Sequence, residues 1–83
     1  MEKHLVDTIK RVTELAAEIF EVPTSDLSPQ TGPEQVATWD STAHMRLMAR
    51  LEEEFDISLD IEEVVEMLSI QKIADTVEKK RAA

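Results

Sequence analysis

Cysteine is absent from the chain and glycine occurs once. Without cysteine there is no disulfide framework, no thiolate zinc site and no cysteine nucleophile. One glycine and three prolines leave few of the turn signals that strands need. Cationic residues are scarce: nine Lys and Arg stand against 18 Asp and Glu, giving a net charge of −9. A duplex-binding protein replaces phosphate counterions with Lys and Arg, and anionic membranes attract basic segments. No nucleic acid and no membrane insertion are therefore expected. No apolar run is long enough to cross a bilayer, and no signal-peptide core follows Met1-Glu2-Lys3-His4. The expected location is the cytoplasm.

What remains is a short, acidic, helix-forming chain. Eighty-three residues suit one domain, spanning 1–83. Leu, Ile, Val and Phe number 22, enough to set the chain apart from disordered sequences. A domain of this size buries only about 60% of its unfolded surface, so a small core is expected. Glu, Lys, Ala, Leu and Met dominate, and these favour helix.

Leu5, Ile9, Val12, Ala16 and Ile19 recur at spacings of four and three, with Val6, Leu15 and Phe20 widening the stripe. A second stripe runs through His44, Leu47, Met48, Leu51 and Phe55. Asp40 or Ser41 is placed to cap that helix. Asp60 and Glu63 have capping-box spacing ahead of Val64, Val65 and Leu68, with Ile61 in the first turn. Ser69 is placed to cap a last helix carrying Ile70, Ile73, Ala74 and Val77 inward, with Lys79, Lys80 and Arg81 at its C-terminal dipole. The spacing predicts helices over about 3–20, 41–55, 61–67 and 70–81. The fold class is all-α, a small bundle of three main helices plus one short one. Residues 21–39 hold all three prolines and Gly32 and show no helical period, so a long loop is expected, anchored by Leu27 and Val36.

Four constellations could carry chemistry. Asp56, Ser58, Asp60 and Glu62 alternate like the first ligands of a calcium loop. However, the position that needs glycine is Ile61 and the final bidentate position is Met67, so capping explains these acids better and no metal site is expected. Ser41 and His44 lie three apart on one helix, as in a hydrolytic dyad, but so small a bundle has little room for an oxyanion hole and pocket. His44, on the apolar stripe, reads as a packing residue. Residues 52–66 hold eight carboxylates and no base, either a solvated face or a docking surface for basic partners. Met45 and Ala49 share a face with Glu52 and Glu53, which favours docking. Ser41 itself follows a long loop and opens the helix with that face, so its hydroxyl is exposed to modification.

Asp40-Ser41, followed by Leu47 and then Leu51-Glu52-Glu53-Glu54-Phe55-Asp56-Ile57, resembles the acyl carrier proteins of the phosphopantetheine-binding family. The resemblance covers almost the whole chain. It implies a carrier, not an enzyme. Ser41, beside Asp40, would hold 4′-phosphopantetheine installed from coenzyme A by a holo-acyl-carrier synthase. The terminal thiol would bear acyl intermediates as thioesters, which fits a chain without its own cysteine. Thr42, Met45, Arg46, Ala49, Glu52 and Glu53 would meet partners: acyl or aminoacyl ligases, transferases or ketosynthases with basic docking patches. Met48, Leu51, Phe55, Ile57 and Val65 would line an acyl cavity between the helices. A monomer is expected.

Three residues depart from the family pattern: Trp39 before Asp40, Thr42 after Ser41, and Arg46 where an acid is common. All three are expected to alter the surface around the arm, pointing to a specialised carrier of a dedicated pathway. Fatty acid, lipid and polyketide-type biosynthesis all fit, and so does aminoacyl or peptidyl cargo. The rival outside the family is an acidic helical interaction module without a prosthetic group.

Overall fold

A computed structural model describes residues 2–82, and side chains from residue 4 to residue 82. Four α-helices follow one another: α1 (Glu2–Phe20), α2 (Ser41–Phe55), α3 (Ile61–Glu66) and α4 (Ile70–Ala82). One 3-10 turn, Thr24–Asp26, breaks the loop between α1 and α2, and no strand occurs among the described residues. The fold is all-α, with α1 packed along both α2 and α4.

The apolar stripe of α1 folds inward. Val12, Leu15, Ala16, Ile19 and Phe20 are buried, and Leu5 and Ile9 pack partly against the core. Val6 does not join them and is 63% exposed, because it lies off the stripe near the helix start. α1 ends at Glu21, which adopts a left-handed φ of 59°, while the Val22 N–H donates back to the Ala17 carbonyl at 3.1 Å. α2 ends in the same way: Asp56 has φ 53° and the Ile57 N–H donates to the Glu52 carbonyl at 3.2 Å. Helices commonly close with a glycine in this conformation. Here two other residues take it, since the single glycine serves elsewhere.

That glycine fixes the loop. A Cβ on Gly32 would stand 2.5 Å from the Leu68 carbonyl oxygen, so only glycine allows the loop to lie against the α3–α4 junction. The approach brings loop carbonyls to the start of α4. The Ile70 N–H donates to the Thr31 carbonyl at 3.1 Å and the Gln71 N–H to the Pro29 carbonyl at 2.8 Å. The Lys72 N–H donates to Ser69 Oγ at 3.1 Å, as the sequence predicts. The orphan donors of the first turn are thereby satisfied. Leu27 and Val36 are buried, and Trp39 joins them at 4% exposure. The loop therefore supplies part of the core.

α3 is six residues long and can bury only one side. Val64 is inside, with Met67 just beyond the helix, while Ile61, Val65 and Leu68 are at least half exposed. At its start Glu63 Oε1 accepts the Asp60 N–H at 2.9 Å. The reciprocal half of this capping box, from the Glu63 N–H to the Asp60 carboxylate, is looser. The Asp60 N–H and then the Lys80 ammonium, 2.8 Å away, hold the Glu63 carboxyl below its usual range. Glu63 in turn raises Lys80.

Two expectations follow from these contacts. Gly32→Ala should cost about 1–3 kcal/mol through backbone overlap, seen as a melting temperature lower by roughly 4–8 °C per kcal/mol. An unchanged melt would mean the loop does not depend on this approach. Glu63→Gln should melt lower than wild type near neutrality. Because the folded carboxyl titrates below its ordinary 4.5, its charge-dependent stability is complete above that value and disappears as pH falls through the lower folded value. The gap between the two melting curves should therefore close on acidification below 4.5. A gap of constant size down to about pH 3 would refute the assignment.

Candidate functional site

The docked loop delivers Trp39, Asp40 and Ser41 to the start of α2. Asp40 is the cap: its backbone is extended, and Oδ1 accepts the Ala43 N–H at 2.9 Å. The His44 N–H then makes the first helical bond, to the Asp40 carbonyl, at 2.8 Å. Ser41 is thus the first helical residue, and its hydroxyl has no hydrogen-bond partner among the described residues. It is exposed and faces an open cleft of about 500 Å³ between α2 and α3. Pro33, Met45, Ile61, Val65 and Leu68 give the cleft an apolar rim, with Trp39, His44 and Val64 beneath them. A second depression of about 270 Å³ shares Met45, Ile61 and Val64 and runs on to Met48, Ala49, Glu52 and Leu59. Together they form a path along the α2–α3 seam that begins at Ser41.

Trp39 and His44 form the floor. The indole stacks on Phe20 with ring centroids 4.8 Å apart. Its Nε1–H donates to His44 Nδ1 at 2.9 Å. His44 Nδ1 is therefore an acceptor, so the neutral ring carries its proton on Nε2 and donates it to the Val64 carbonyl at 2.8 Å. Both ring nitrogens are used, and His44 is 9% exposed. The packing role expected for His44 is extended by a bond that crosses to α3. A buried, fully bonded imidazole is also unavailable as a base for Ser41. The expectation that Trp39 reshapes the outer surface is corrected: its indole is buried and acts from below.

The expected partner residues lie on one side of α2. Thr42, Met45, Arg46, Ala49 and Glu53 are exposed. Glu52 is half-buried and already engaged, Oε2 accepting the Leu59 N–H at 2.9 Å. The acidic block is likewise divided. Arg11 holds Glu54 with two bonds of 2.8 and 3.1 Å, which keeps that carboxyl below its usual range and raises Arg11. Glu63 and, at 3.9 Å, Asp60 face Lys80. Glu53, Asp56, Glu62 and Glu66 make no ion pair among the described residues. No three His, Asp or Glu side chains gather there as a metal set, and no described helix is long and apolar enough to cross a membrane.

Three of the five residues expected along an acyl cavity lie away from both depressions. Leu51 is completely buried, Phe55 sits under Arg81 with the guanidinium carbon 5.4 Å from the ring centroid, and Ile57 packs on the edge of the core. None of the three lines either depression. Met48 lines the second depression and Val65 the first. Trp39 and His44 are buried beneath the first depression. Ile61, Leu68 and Pro33 were not singled out as site residues. The available signal was an apolar content too large for a six-residue helix to hide.

The profile of the phosphopantetheine attachment site family matches residues 10–77. No curated protein matches the chain. Among solved structures, the solution structure of the holo acyl carrier protein from Geobacter metallireducens is similar, with a TM-score of 0.81 and 28% identity over 90% of this chain and 86% of that one. With most of its length matched by the profile and its helices superposing on a carrier, the chain belongs to the phosphopantetheine-attachment family of acyl carrier proteins.

Proposed function

We propose that the whole chain works as one carrier domain whose attachment residue is Ser41, and that it hands acyl intermediates of a dedicated biosynthetic pathway to partner enzymes with basic docking patches. The observation that carries this reading is the free, exposed Ser41 hydroxyl at the head of an apolar cleft, with Asp40 and not Ser41 acting as the cap.

These residues suit the group. Ser41 Oγ loses its proton as it joins the phosphate, and the nucleotide half of coenzyme A departs, in a reaction run by a separate synthase. The positive end of α2 favours a phosphate at this position. Pro33, Met45 and Val65 offer an apolar surface to what lies beyond it. When bound, the group supplies the thiol that carries cargo as a thioester. The protein contributes position, shielding and recognition.

Partner recognition rests on Thr42, Met45 and Ala49 as uncharged contacts, with Glu53, Asp56, Glu62 and Glu66 as the acids left for a basic surface. Charge of this kind speeds encounter, and a small contact lets the carrier leave again. Thr42 and Arg46, both exposed, favour partners other than those of bulk fatty-acid synthesis. Amino acids remain a competing cargo class for the same arm.

Incubation with coenzyme A and a broad-specificity holo-synthase should add one phosphopantetheine mass to the wild type and none to Ser41→Ala, read by intact mass spectrometry. No gain, or a gain that persists in the variant, would end the Ser41 reading. The cap is tested separately. Asp40→Ala should lower stability by about 0.5–2 kcal/mol, whereas Asp40→Asn should stay within a few tenths. Equal losses in denaturant titrations would assign the effect to charge and not to capping.

A further inference from the structure

The buried bond chain under Ser41 bears on where cargo can go. The Trp39 indole donates to His44 Nδ1, and His44 Nε2–H donates to the Val64 carbonyl. One end of the chain is fixed by stacking on Phe20, the other by the backbone of α3. Beside the cleft that Ser41 opens onto, the imidazole spans the gap from α2 to the backbone of α3. Behind it Leu47, Leu51 and Met67 are at most 1% exposed and line neither depression. Outside it, the cleft is open, apolar and begins at the attachment residue itself.

We propose that Trp39 and His44 form a latch that keeps short acyl cargo of Ser41 in the outer cleft, against Met45, Ile61, Val65 and Leu68, and out of the helix bundle. The proposal rests on Ser41 being the attachment point. Three features carry it. The imidazole has no unused hydrogen-bonding atom, so moving it breaks bonds at both nitrogens of a side chain only 9% exposed. The core behind it is closely packed, so a chain could advance only by displacing side chains. The outer path offers methylene groups apolar contact at no such cost, and its exposed lining is otherwise unexplained in an acidic surface. Trp39 and His44 are thus positioning residues: they touch the floor of the cleft and determine its depth. The cargo class that follows is short acyl groups, held where a partner enzyme can reach them without unfolding part of the carrier.

The test loads the wild-type chain with acetyl-, hexanoyl- or octanoyl-phosphopantetheine from the corresponding acyl-coenzyme A, using a broad holo-synthase. Intact mass establishes loading at Ser41; no gain in mass would sink the attachment reading and this proposal with it. In loaded protein, methyl signals of Met45, Ile61, Val65 and Leu68 should shift progressively with chain length. Those of Leu47 and Leu51, and the Trp39 indole N–H signal, should stay in place. The melting temperature should differ by less than about 5 °C between acetyl and octanoyl forms, as expected if no new core is formed. Core methyl shifts in the loaded wild type would overturn the latch. In His44→Ala, octanoyl loading should move the Leu47 and Leu51 methyls; unmoved signals there would show that His44 is not what excludes the chain. Trp39→Phe, which keeps the stack but removes the donor, gives the same reading if His44→Ala does not fold.

Discussion

A single imidazole joins the three segments that meet at Ser41. Trp39 comes from the loop, His44 from α2 and the Val64 carbonyl from α3, and two bonds of 2.9 and 2.8 Å hold them together. α3 is too short to be stable by itself: helices below about 12–15 residues are marginal in water even with good sequences. It needs the capping contact and Lys80 at one end and His44 at the other. The loop also lies against the α3–α4 junction only because Gly32 has no Cβ to meet the Leu68 carbonyl. The orientation of the serine therefore depends on contacts spread over most of the chain, although the serine makes few of its own.

The acidic composition has two uses, and they compete. Glu52, Glu54, Asp60 and Glu63 are spent on backbone donors or on Arg11 and Lys80. These contacts tie α1 to α2 and α3 to α4, and they are the ones that a marginal core requires. Glu53, Asp56, Glu62 and Glu66 remain for solvent or for a partner. A docking surface read from composition alone would count all eight. The geometry halves it and moves its centre toward the end of α2 and the outer side of α3, next to the exposed Ile61 and Val65.

The helices were legible because their apolar residues recur at helical spacing and their caps are local. Asp40, Asp60 and Ser69 each contact groups within three residues, so sequence neighbours suffice to place them. The Asp40-Ser41 helix start was legible for the same reason. What escaped has no periodic or capping signal. Trp39 read as a surface departure because Phe20 is distant in sequence and the bond to His44, five residues on, follows no helical spacing. Glu52 read as a free acid, since nothing in its spacing marks Leu59 as a donor across the turn. The acyl cavity expected along Met48, Leu51, Phe55, Ile57 and Val65 came from the family resemblance, and only Met48 and Val65 line a depression. Trp39 and His44, which the motif does not include, lie at the floor of the cleft.

Magnitudes indicate how far the latch can hold. Displacing His44 leaves the indole N–H without a partner, at about 1–3 kcal/mol, while the Val64 carbonyl keeps the Met67 N–H at 3.4 Å. Pushing aside close-packed side chains adds about 1–3 kcal/mol. A methylene moved completely out of water returns about 0.8 kcal/mol, and one already resting in the cleft has realised part of that. If roughly half remains to be gained, a chain needs on the order of ten methylenes before the interior becomes the better place. Below that length the cargo stays at the surface, where a partner meets it directly. A carrier for long acyl chains would need a smaller residue at 39 or 44, and the same fold would then become a container.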